Sequence, residues 1–237
     1  MTQLRPLITT IDVWRTYNLG SEEVNAVRGV SITVLPGQFI TLVGRSGSGK
    51  TSLLNLMAGL DRATSGRVLI QGRDVSEMSE ADLIEVRRHK LGFVFQSFGL
   101  LPLLSAFENV EIPLRISGVP HGEREERTRD ALELVGLSRR SRDRPYELSG
   151  GEQQRVAIAR AIVGRPPVVL ADEPTGELDS VNARSIFGLF KEMVRDQGIS
   201  VVAATHDSTL LAMADEVKEM RDGTLVDRVQ ETHRFRG

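Results

Sequence analysis

Residues 44–51, GRSGSGKT, constrain this chain more than any other part of its sequence. They match the pattern G-x-x-x-x-G-K-T, follow an apolar strand pattern at Phe39–Val43 and open a predicted helix that ends near Gly59. Glycines let backbone N–H groups surround phosphate oxygens, and the dipole of the following helix favours the same anion. The segment predicts a nucleoside-triphosphate site rather than a glycine-rich surface turn, with the binding residues Gly44, Arg45, Ser46, Gly47, Ser48, Gly49, Lys50, Thr51 and Ser52.

An apolar strand pattern at residues 168–173, VVLADE, ends in two carboxylates. We expect Asp172 to hold Mg²⁺ together with the hydroxyl of Thr51, while Lys50 reaches the terminal phosphates. Glu173 is then the candidate that polarises the attacking water, so Glu173 and Lys50 are candidate catalytic residues. The alternative is a solvated acidic turn, which the following proline suits, but the phosphate loop in the same chain favours the catalytic interpretation.

Two further predicted strands end in polar residues, at Gln96 and His206. In open α/β sheets, ligands bind outside the carboxyl ends of the strands, so both side chains should converge on the edge that carries the phosphate loop. We expect His206 to contact the γ-phosphate, and Gln96 to contact the metal or the attacking water. A lone histidine at a strand end is more often structural, but its convergence with three other strand ends favours catalysis.

Residues 148–152, LSGGE, open a predicted helix and form a candidate second anion site. Ser149 and Glu152 fit a capping box, which is the alternative interpretation. Gly150 and Gly151 are a poor choice for a cap alone, but they bare backbone N–H groups at the positive end of a helix. Two phosphate-binding helix ends in one chain suggest that two chains share each nucleotide.

Two apolar features have both a binding and a packing interpretation. Tyr17, close to Trp14 and upstream of the phosphate loop, either stacks on a nucleotide base or packs in the core. Residues 98–107, FGLLPLLSAF, contain a glycine and a proline and make a poor regular element. Their apolar side chains either fill the core or form a docking patch beside Gln96, and we expect docking by Phe98, Leu100, Leu101 and Leu104.

Strand and helix patterns alternate along most of the chain, which indicates an α/β fold with a mainly parallel sheet. Besides the strands above, strands are predicted at 7–13, 30–35, 67–70, 91–95, 199–204, 217–220 and 225–229, and helices at 80–89, 182–196 and 208–214. A helical stretch at 105–164, with polar loops at 118–122 and 138–145, interrupts this alternation. We expect one domain with a phosphate-loop NTPase core, an N-terminal antiparallel β subdomain and an inserted helical subdomain. The expected boundaries are 1–96 and 165–230 for the core, about 97–164 for the helical subdomain, and 231–237 for a tail.

Composition excludes several other classes of protein. The formal net charge of −2 lacks the basic excess of a nucleic-acid binder. The absence of cysteine excludes disulfides, thiolate zinc sites and cysteine nucleophiles. No stretch reaches the roughly 20 apolar residues that a membrane-spanning helix needs, and the N-terminus lacks the pattern of a signal peptide, so we expect no direct membrane insertion.

The following motifs, in this order, resemble the ABC ATPase family across nearly the whole chain: GRSGSGKT, Gln96, LSGGEQQR, VVLADEP, LDS at 178–180, and His206. The resemblance implies an ATPase that uses ATP and Mg²⁺, with Glu173 as general base, His206 as γ-phosphate sensor and Tyr17 stacked on the base. It also implies a head-to-tail homodimer with two ATP molecules between the phosphate loop of one chain and residues 149–151 of the other. Asp179 would be a contact across that dimer.

The detail GFVFQSFGLLPLLSAFENV, with TYNLGSEEVNAVRGVS near the start, is similar to the lipoprotein-releasing and macrolide-export branch of the family. The branch implies an integral membrane permease as partner, export or extraction of a substrate, and a place at the cytoplasmic face of the cell membrane. The rival interpretations are an ABC ATPase of DNA repair or translation without a membrane partner, and a nucleotide-dependent switch with negligible turnover. No coiled-coil insertion or second cassette is visible and both catalytic residues are intact, so the transporter interpretation is favoured.

Overall fold

A computed structural model describes residues 5–20 and 22–226. Its strands are β1 Ile8–Leu19, β2 Glu22–Val34, β3 Phe39–Val43, β4 Ser65–Ile70, β5 Arg73–Asp74, β6 Leu91–Val94, β7 Val168–Asp172, β8 Ser200–Thr205, β9 Glu216–Arg221 and β10 Thr224–Val226. Its helices are α1 Lys50–Met57, α2 Glu80–His89, α3 Ala106–Ile116, α4 His121–Leu134, α5 Gly150–Ile162 and α6 Ser180–Gln197.

A six-stranded sheet in the order β10-β9-β3-β8-β7-β6 forms the centre of the fold. Neighbouring strands from β9 to β6 pair in parallel, and β10 joins β9 as an antiparallel hairpin around a turn at Asp222 and Gly223. β3, β7 and β8 are buried along almost their whole length. Layers cover both faces of the sheet, which explains why these strands are continuous apolar runs rather than alternating patterns.

Successive side chains of the central strands enter two different cores, because a strand directs alternate residues to opposite faces. In β7, Val169 and Ala171 pack in the core that contains α3, α4, α5 and α6. Val168 and Leu170 pack instead in the core formed with α1, α2 and the second sheet. The three helices α3 to α5 are inserted between β6 and β7, which are direct neighbours in the sheet. The expected fold class, with its inserted helical subdomain, is therefore confirmed.

The second sheet has the order β2-β1-β4-β5 and is antiparallel, as expected for the N-terminal β subdomain. β1 and β2 contain 12 and 13 residues and are much longer than the sequence predicts. Most residues of β2 before Val27 are exposed, so their polar side chains give no strand pattern. Backbone pairing with β1, which includes register shifts between Thr10 and Thr16, extends the strand despite that sequence.

One predicted helix is of the 3₁₀ type. Residues 208–214 were predicted as a helix, and the structure has a 3₁₀ helix at Ser208–Met213. This segment carries the chain from β8 past β3 to β9, and a 3₁₀ turn advances about 2.0 Å per residue against 1.5 Å in an α-helix. The end of the predicted strand 225–229 and the predicted tail 231–237 lie outside the described residues.

Side-chain caps fix where the helices begin. Ser79, Ser105 and Ser149 each form a capping box with the residue three positions later. Asp179 caps α6 with hydrogen bonds from two backbone N–H groups, and Gly198 ends that helix with φ +66°. These local signals agree with the predicted helix starts, because a cap satisfies N–H groups that the helix itself leaves unpaired.

Across residues 5–20 and 22–226, no helix combines the length and the apolar character that crossing a lipid bilayer requires.

Candidate active site

The carboxyl ends of four parallel strands meet at one edge of the central sheet and line a cavity of about 980 Å³. This edge carries the phosphate loop after β3, Gln96 after β6, Glu173 after β7 and His206 after β8. Tyr17 lies at the same cavity, on β1. The structure therefore brings together the residues that the sequence assigned to the nucleotide site from five separate segments.

The phosphate loop is clamped between β2 and the β9–β10 hairpin. Gly49 has φ +101°, and a Cβ at this position would lie 2.1 Å from the carbonyl oxygen of Ala26. The N–H of Gly223 donates to the carbonyl of Ser48 at 3.1 Å. Residues at these two flanks also line the cavity and were missed by the sequence analysis: Val24, Asn25, Ala26, Arg28, Asp222 and Gly223. The Asp-Gly turn was readable in the sequence, but its position against the loop depends on the order of the strands.

Lys50 is the first residue of α1, and its side chain is buried within the loop that precedes the helix. Its Nζ donates to the carbonyl oxygens of Gly44 at 2.8 Å and Arg45 at 3.2 Å. The same Nζ lies 3.2 Å from Oε1 of Glu173. The ammonium group is thus held at the centre of the site, between the phosphate loop and the acidic strand end.

Thr51 and Asp172 form the hydroxyl–carboxylate pair that the sequence predicted. Thr51 Oγ1 donates to Asp172 Oδ1 at 3.1 Å, which joins α1 to the end of β7. Burial is the main cause that raises the pKa of Asp172, and the neighbouring charge of Glu173 raises it further, against the lowering effects of the Thr51 hydrogen bond and of Lys50. A buried carboxylate of this kind is stabilised by a cation, because a positive charge restores the favourable environment that water would provide.

Glu173 lies between two cationic or polar partners. Its Oε1 contacts Lys50, and its Oε2 lies 2.8 Å from Nδ1 of His206, whose backbone N–H also points to Oε2 at 3.3 Å. Glu173 adopts φ +45°, a strained value for a residue other than glycine. Such strain is often found at functional sites. The Glu173 side chain is 12% exposed and that of His206 is 62% exposed, so the pair extends from the buried loop to the open cavity.

Gln96 lies beside the turn that follows Glu173. Its Nε2 is 3.5 Å from the position that a Cβ on Gly176 would take. Gln96 is exposed and lines the cavity. Among the described contacts, no hydrogen bond fixes the Gln96 amide, which lies beside the turn that follows Glu173.

Tyr17 belongs to a small network at the rim of the cavity. Its hydroxyl donates to Oδ2 of Asp61 at 2.7 Å, and the guanidinium of Arg15 lies 4.4 Å from the centre of its ring. Arg15 Nε also donates to Asp61 at 2.8 Å. Arg15 and Asp61 were missed by the sequence analysis, since they are 46 positions apart in the chain. They hold the ring half-exposed at the cavity, where an aromatic face suits stacking.

The LSGGE segment lies apart from this cavity in the same chain. Ser149 is the N-cap of α5 and forms a complete capping box, because Glu152 Oε2 accepts from the backbone N–H and the hydroxyl of Ser149 at 2.8 Å each. These two hydrogen bonds lower the pKa of Glu152. The structure thus shows the cap that the sequence offered as the alternative. A cap and an anion site are compatible, since the N–H groups of the first turn still point outwards from the helix.

The predicted docking residues occupy unequal positions. Leu101 is 49% exposed, whereas Phe98 and Leu104 are half-buried and Leu100 packs partly against the helical core. Docking by these four residues stays a prediction, and Leu101 is the one of the four that is exposed. Leu103 is 81% exposed, and the sequence analysis did not choose it. Proline and glycine in the segment prevented a prediction of which leucines face inwards.

The chain matches the family described as ABC transporter over residues 27–176. It is 47% identical over 225 residues to an uncharacterized ABC transporter ATP-binding protein of Thermotoga maritima, and the match covers 94% of each chain. It is 46% identical to the macrolide export ATP-binding/permease protein MacB of Hyphomonas neptunium and 44% identical to the pyoverdine export ATP-binding/permease protein PvdT of Pseudomonas entomophila. These two matches cover 93% of this chain and 34% of each relative, so the chain spans about a third of their length.

Solved structures show the same architecture. A dimeric post-hydrolysis state of the ATP-binding cassette MJ0796, bound to ADP and Pi, has a TM-score of 0.86 at 38% identity, over 93% of this chain and 97% of that chain. The ABC transporter component cbiO1 of Clostridium perfringens has a TM-score of 0.84 at 27% identity, over 94% of this chain and 88% of that chain. Together with the phosphate loop, the paired carboxylates and the LSGGE helix, these matches lead to one conclusion: the chain belongs to the ABC transporter family and is an ATP-hydrolysing cassette.

Proposed function

We propose that this chain is the ATPase subunit of an export system and drives an integral membrane permease from the cytoplasmic face of the cell membrane. The observation that carries the ATPase part is Glu173, which lies between Lys50 and His206 at the cavity of the phosphate loop. The names of the MacB and PvdT relatives support the export and permease parts. None of the relatives named above is a protein of DNA repair or translation, so that rival interpretation has no support here.

We also propose the domain boundaries given above, with a core at 1–96 and 165–230 and a helical subdomain at about 97–164. α3, α4 and α5 all lie within the second range. β6 and β7 flank that range and pair directly with each other, so the sheet is continuous across the insertion. This arrangement supports a helical subdomain that can move as a unit on an intact core.

Mg²⁺ fits the residues at the end of β7. Within the described residues, no group of three or more acidic or histidine side chains is arranged to hold a metal ion alone. Thr51 and Asp172 offer two hard oxygen donors in contact, and Mg²⁺ in nucleotide sites typically takes one or two such ligands plus phosphate oxygens. Thr51 and Asp172, with Gln96 at the cavity that Thr51 also lines, would hold the ion, which would neutralise phosphate charge when bound.

The roles of the remaining residues follow from their contacts. Glu173 accepts a proton from the water that attacks the γ-phosphate, because its carboxylate lines the cavity between Lys50 and His206. Lys50 stabilises negative charge on the terminal phosphates, and its Nζ lies 3.2 Å from Oε1 of Glu173, so both groups act within one site. His206 orients Glu173 through its Nδ1 and presents the rest of its ring to the γ-phosphate. Tyr17 stacks on the adenine base.

The LSGGE segment supports a nucleotide-sharing dimer. A Cβ on Gly150 would lie 3.6 Å from Leu178 and 3.9 Å from Phe98, which are ordinary packing distances. Contacts within the chain therefore do not require glycine at 150, whereas a closely approaching phosphate would. Residues 149–152 then bind the ATP that the phosphate loop of the second chain holds, and Asp179 contacts that second chain. The dimeric MJ0796 structure supports this arrangement.

The permease contacts the segment 98–107. Leu101 and Leu103 are both exposed and lie in the loop between Gln96 and α3. An exposed apolar pair of this kind favours contact with another protein. Its nearness in sequence to Gln96 gives a route from the nucleotide site to the partner.

The experiment that tests the ATPase assignment replaces Glu173 with Gln. We expect ATP binding to persist and hydrolysis to fall by about 10²–10⁴, since that is the usual contribution of a general base. The variant should accumulate as a dimer with ATP and Mg²⁺, measured by size-exclusion chromatography with light scattering. Glu133→Gln, at an exposed carboxylate on α4, is the matched control and should hydrolyse ATP at the parent rate. Parent-rate hydrolysis by Glu173→Gln would rule out Glu173 as the base.

A further inference from the structure

The start of α5 lies directly against the start of α6. A Cβ added at Gly151 would lie 2.8 Å from Oδ1 and 3.0 Å from Cγ of Asn182. The distance to Oδ1 is closer than real Cβ atoms approach, so a larger residue at 151 would require the Asn182 side chain to move. The glycine at 150 faces Leu178 at an ordinary distance. Gly151 is therefore packed against the Asn182 side chain, whereas Gly150 has only ordinary packing contacts within the chain.

Asn182 also fixes the side chain of Asp179. Asn182 Nδ2 donates to Asp179 Oδ2 at 2.6 Å. Oδ1 of the same carboxylate accepts from the backbone N–H groups of Val181 at 2.9 Å and Asn182 at 3.0 Å. Hydrogen bonds from the backbone and the side chain of Asn182 are the main causes that hold the pKa of Asp179 below its usual range. Both carboxylate oxygens are thus held in one orientation.

A second contact lies one turn further along both helices. Arg155 on α5 donates through Nη2 to Oγ of Ser185 on α6 at 2.6 Å, and through Nη1 to the carbonyl of Val135 at 2.9 Å. The pairs 151/182 and 155/185 are separated by four residues on α5 and three on α6, which is one helical turn on each. The two helix starts are therefore joined at two successive points.

We infer that Asn182 is a positioning residue that joins the LSGGE helix start to the Asp179 turn, so that both elements meet the second chain as one rigid surface. This inference rests on the proposed dimer, because both elements face the second chain only in that arrangement. Closing two independently mobile elements onto a partner loses more conformational entropy than closing one preorganised surface. Asn182 thus acts on dimer closure without touching the nucleotide of its own chain.

The experiment uses the full chain with Glu173→Gln, which prevents hydrolysis, and adds Asn182→Ala. We expect the Kd of the Mg·ATP-dependent dimer, measured by analytical ultracentrifugation, to rise about tenfold, as for the loss of a hydrogen bond to a charged group. ATP affinity, measured at protein concentrations below dimer formation, should stay within about twofold of the parent, because the phosphate loop is unchanged. An unchanged dimer Kd in Asn182→Ala would overturn the inference.

A double-mutant cycle separates positioning from a general loss of stability. If Asn182 acts through Asp179, Asp179→Ala should weaken the dimer, and adding Asn182→Ala to it should weaken the dimer by less than about twofold more. Fully additive losses would contradict the inference. Asp82→Ala is the matched control, because Asp82 occupies the same third position of α2 and bonds to its cap residue Ser79. It should lower the melting temperature about as much as Asn182→Ala and leave the dimer Kd unchanged.

Failure of the inference and failure of the proposed dimer give different results. If Glu173→Gln dimerises with Mg·ATP and Asn182→Ala has no effect, only the role of Asn182 is wrong. If Glu173→Gln remains a monomer at all concentrations of Mg·ATP, the proposed dimer is wrong, and the inference is overturned with it.

Discussion

At the scale of single residues, the site holds opposite charges at short distances and places one carboxylate in a buried position. Lys50 and Glu173 are in contact, and Asp172 is buried beside them with a raised pKa. Burial of an ionised carboxylate lowers the stability of the folded chain unless a cation compensates it. The residues that suit Mg²⁺ and ATP are therefore expected to lower the stability of the fold when Mg²⁺ and ATP are absent. Such a loss of stability is common at functional sites.

Asp172→Asn should raise the melting temperature of the ligand-free chain at pH 7. A raised pKa means that the folded state binds the proton more tightly than the unfolded state, so ionised Asp172 lowers the free energy of unfolding above the folded-state pKa. This loss of stability disappears at pH values below 3.8, the ordinary pKa of an aspartate. The difference in melting temperature between Asp172→Asn and the parent should therefore shrink as the pH falls towards 4. Calorimetry between pH 4 and 8 measures it, with about 2–4 °C expected for each kcal/mol. A lower melting temperature for Asp172→Asn at pH 7 would contradict the expectation; Asp130→Asn, on the surface of α4, is the control.

At the scale of elements, the loop between β6 and α3 combines a fixed backbone with exposed side chains. Phe98 has φ +55°, and Arg160 on α5 donates to the carbonyl oxygens of Phe98 at 2.8 Å and Gly99 at 2.6 Å. Asn109 on α3 accepts from the N–H of Leu101 at 2.8 Å. These contacts orient the segment so that Leu103 faces solvent while Leu100 faces the helical core.

Leu103→Asp and Leu100→Asp should therefore affect different properties, the first permease binding and the second the stability of the fold. Leu103→Asp should leave the melting temperature and the ATPase rate of the isolated chain unchanged, but it should reduce co-purification with the permease from detergent-solubilised membranes. Leu100→Asp should lower the free energy of unfolding by about 1–3 kcal/mol, because it places a polar group in a partly apolar environment. Thermal melts and co-purification yields measure both variants. If Leu103→Asp binds the permease as the parent does, the docking segment is wrongly assigned.

At the scale of the whole molecule, the central sheet separates two cores and places the nucleotide cavity at its edge. One core contains the inserted helices and α6, and the other contains α1, α2 and the antiparallel sheet. The cavity is lined by residues that follow β3, β6, β7 and β8 and by Tyr17 on β1, so both sheets contribute to it.

Mg·ATP should raise the melting temperature of the Glu173→Gln chain. At a ligand concentration of 100 times Kd, binding adds about 2.7 kcal/mol to the free energy of unfolding, which corresponds to about 5–10 °C for a chain of this size. AMP at the same concentration is the control and should give little shift in melting temperature, because it lacks the β- and γ-phosphates. Equal shifts with AMP and Mg·ATP, measured by differential scanning fluorimetry, would show that the phosphate loop does not carry the affinity.

Local signals in the sequence were enough to predict several elements of the fold. β3 and α2 have the predicted bounds, the capping box at Ser149 is present, and the strand–loop–helix around Lys50 is where the pattern places it. Parallel strands direct their carboxyl ends to one edge, so the convergence of the loop, Glu173 and His206 also followed from the sequence. Periodicity, caps and glycine-rich loops depend on near neighbours in the chain, which is why they can be read without the fold.

Features that depend on residues far apart in the chain became visible only in the folded structure. The length of β1 and β2 depends on their mutual pairing, and the support of Tyr17 depends on Arg15 and Asp61. The contact between Gly151 and Asn182 depends on how α5 meets α6. In the segment 98–107, the apolar residues follow no periodic pattern. Packing and hydrogen bonds therefore set which leucine faces the core. The physical reason is the same in each case: local sequence sets which element forms, whereas the contacts between elements set which side chains meet.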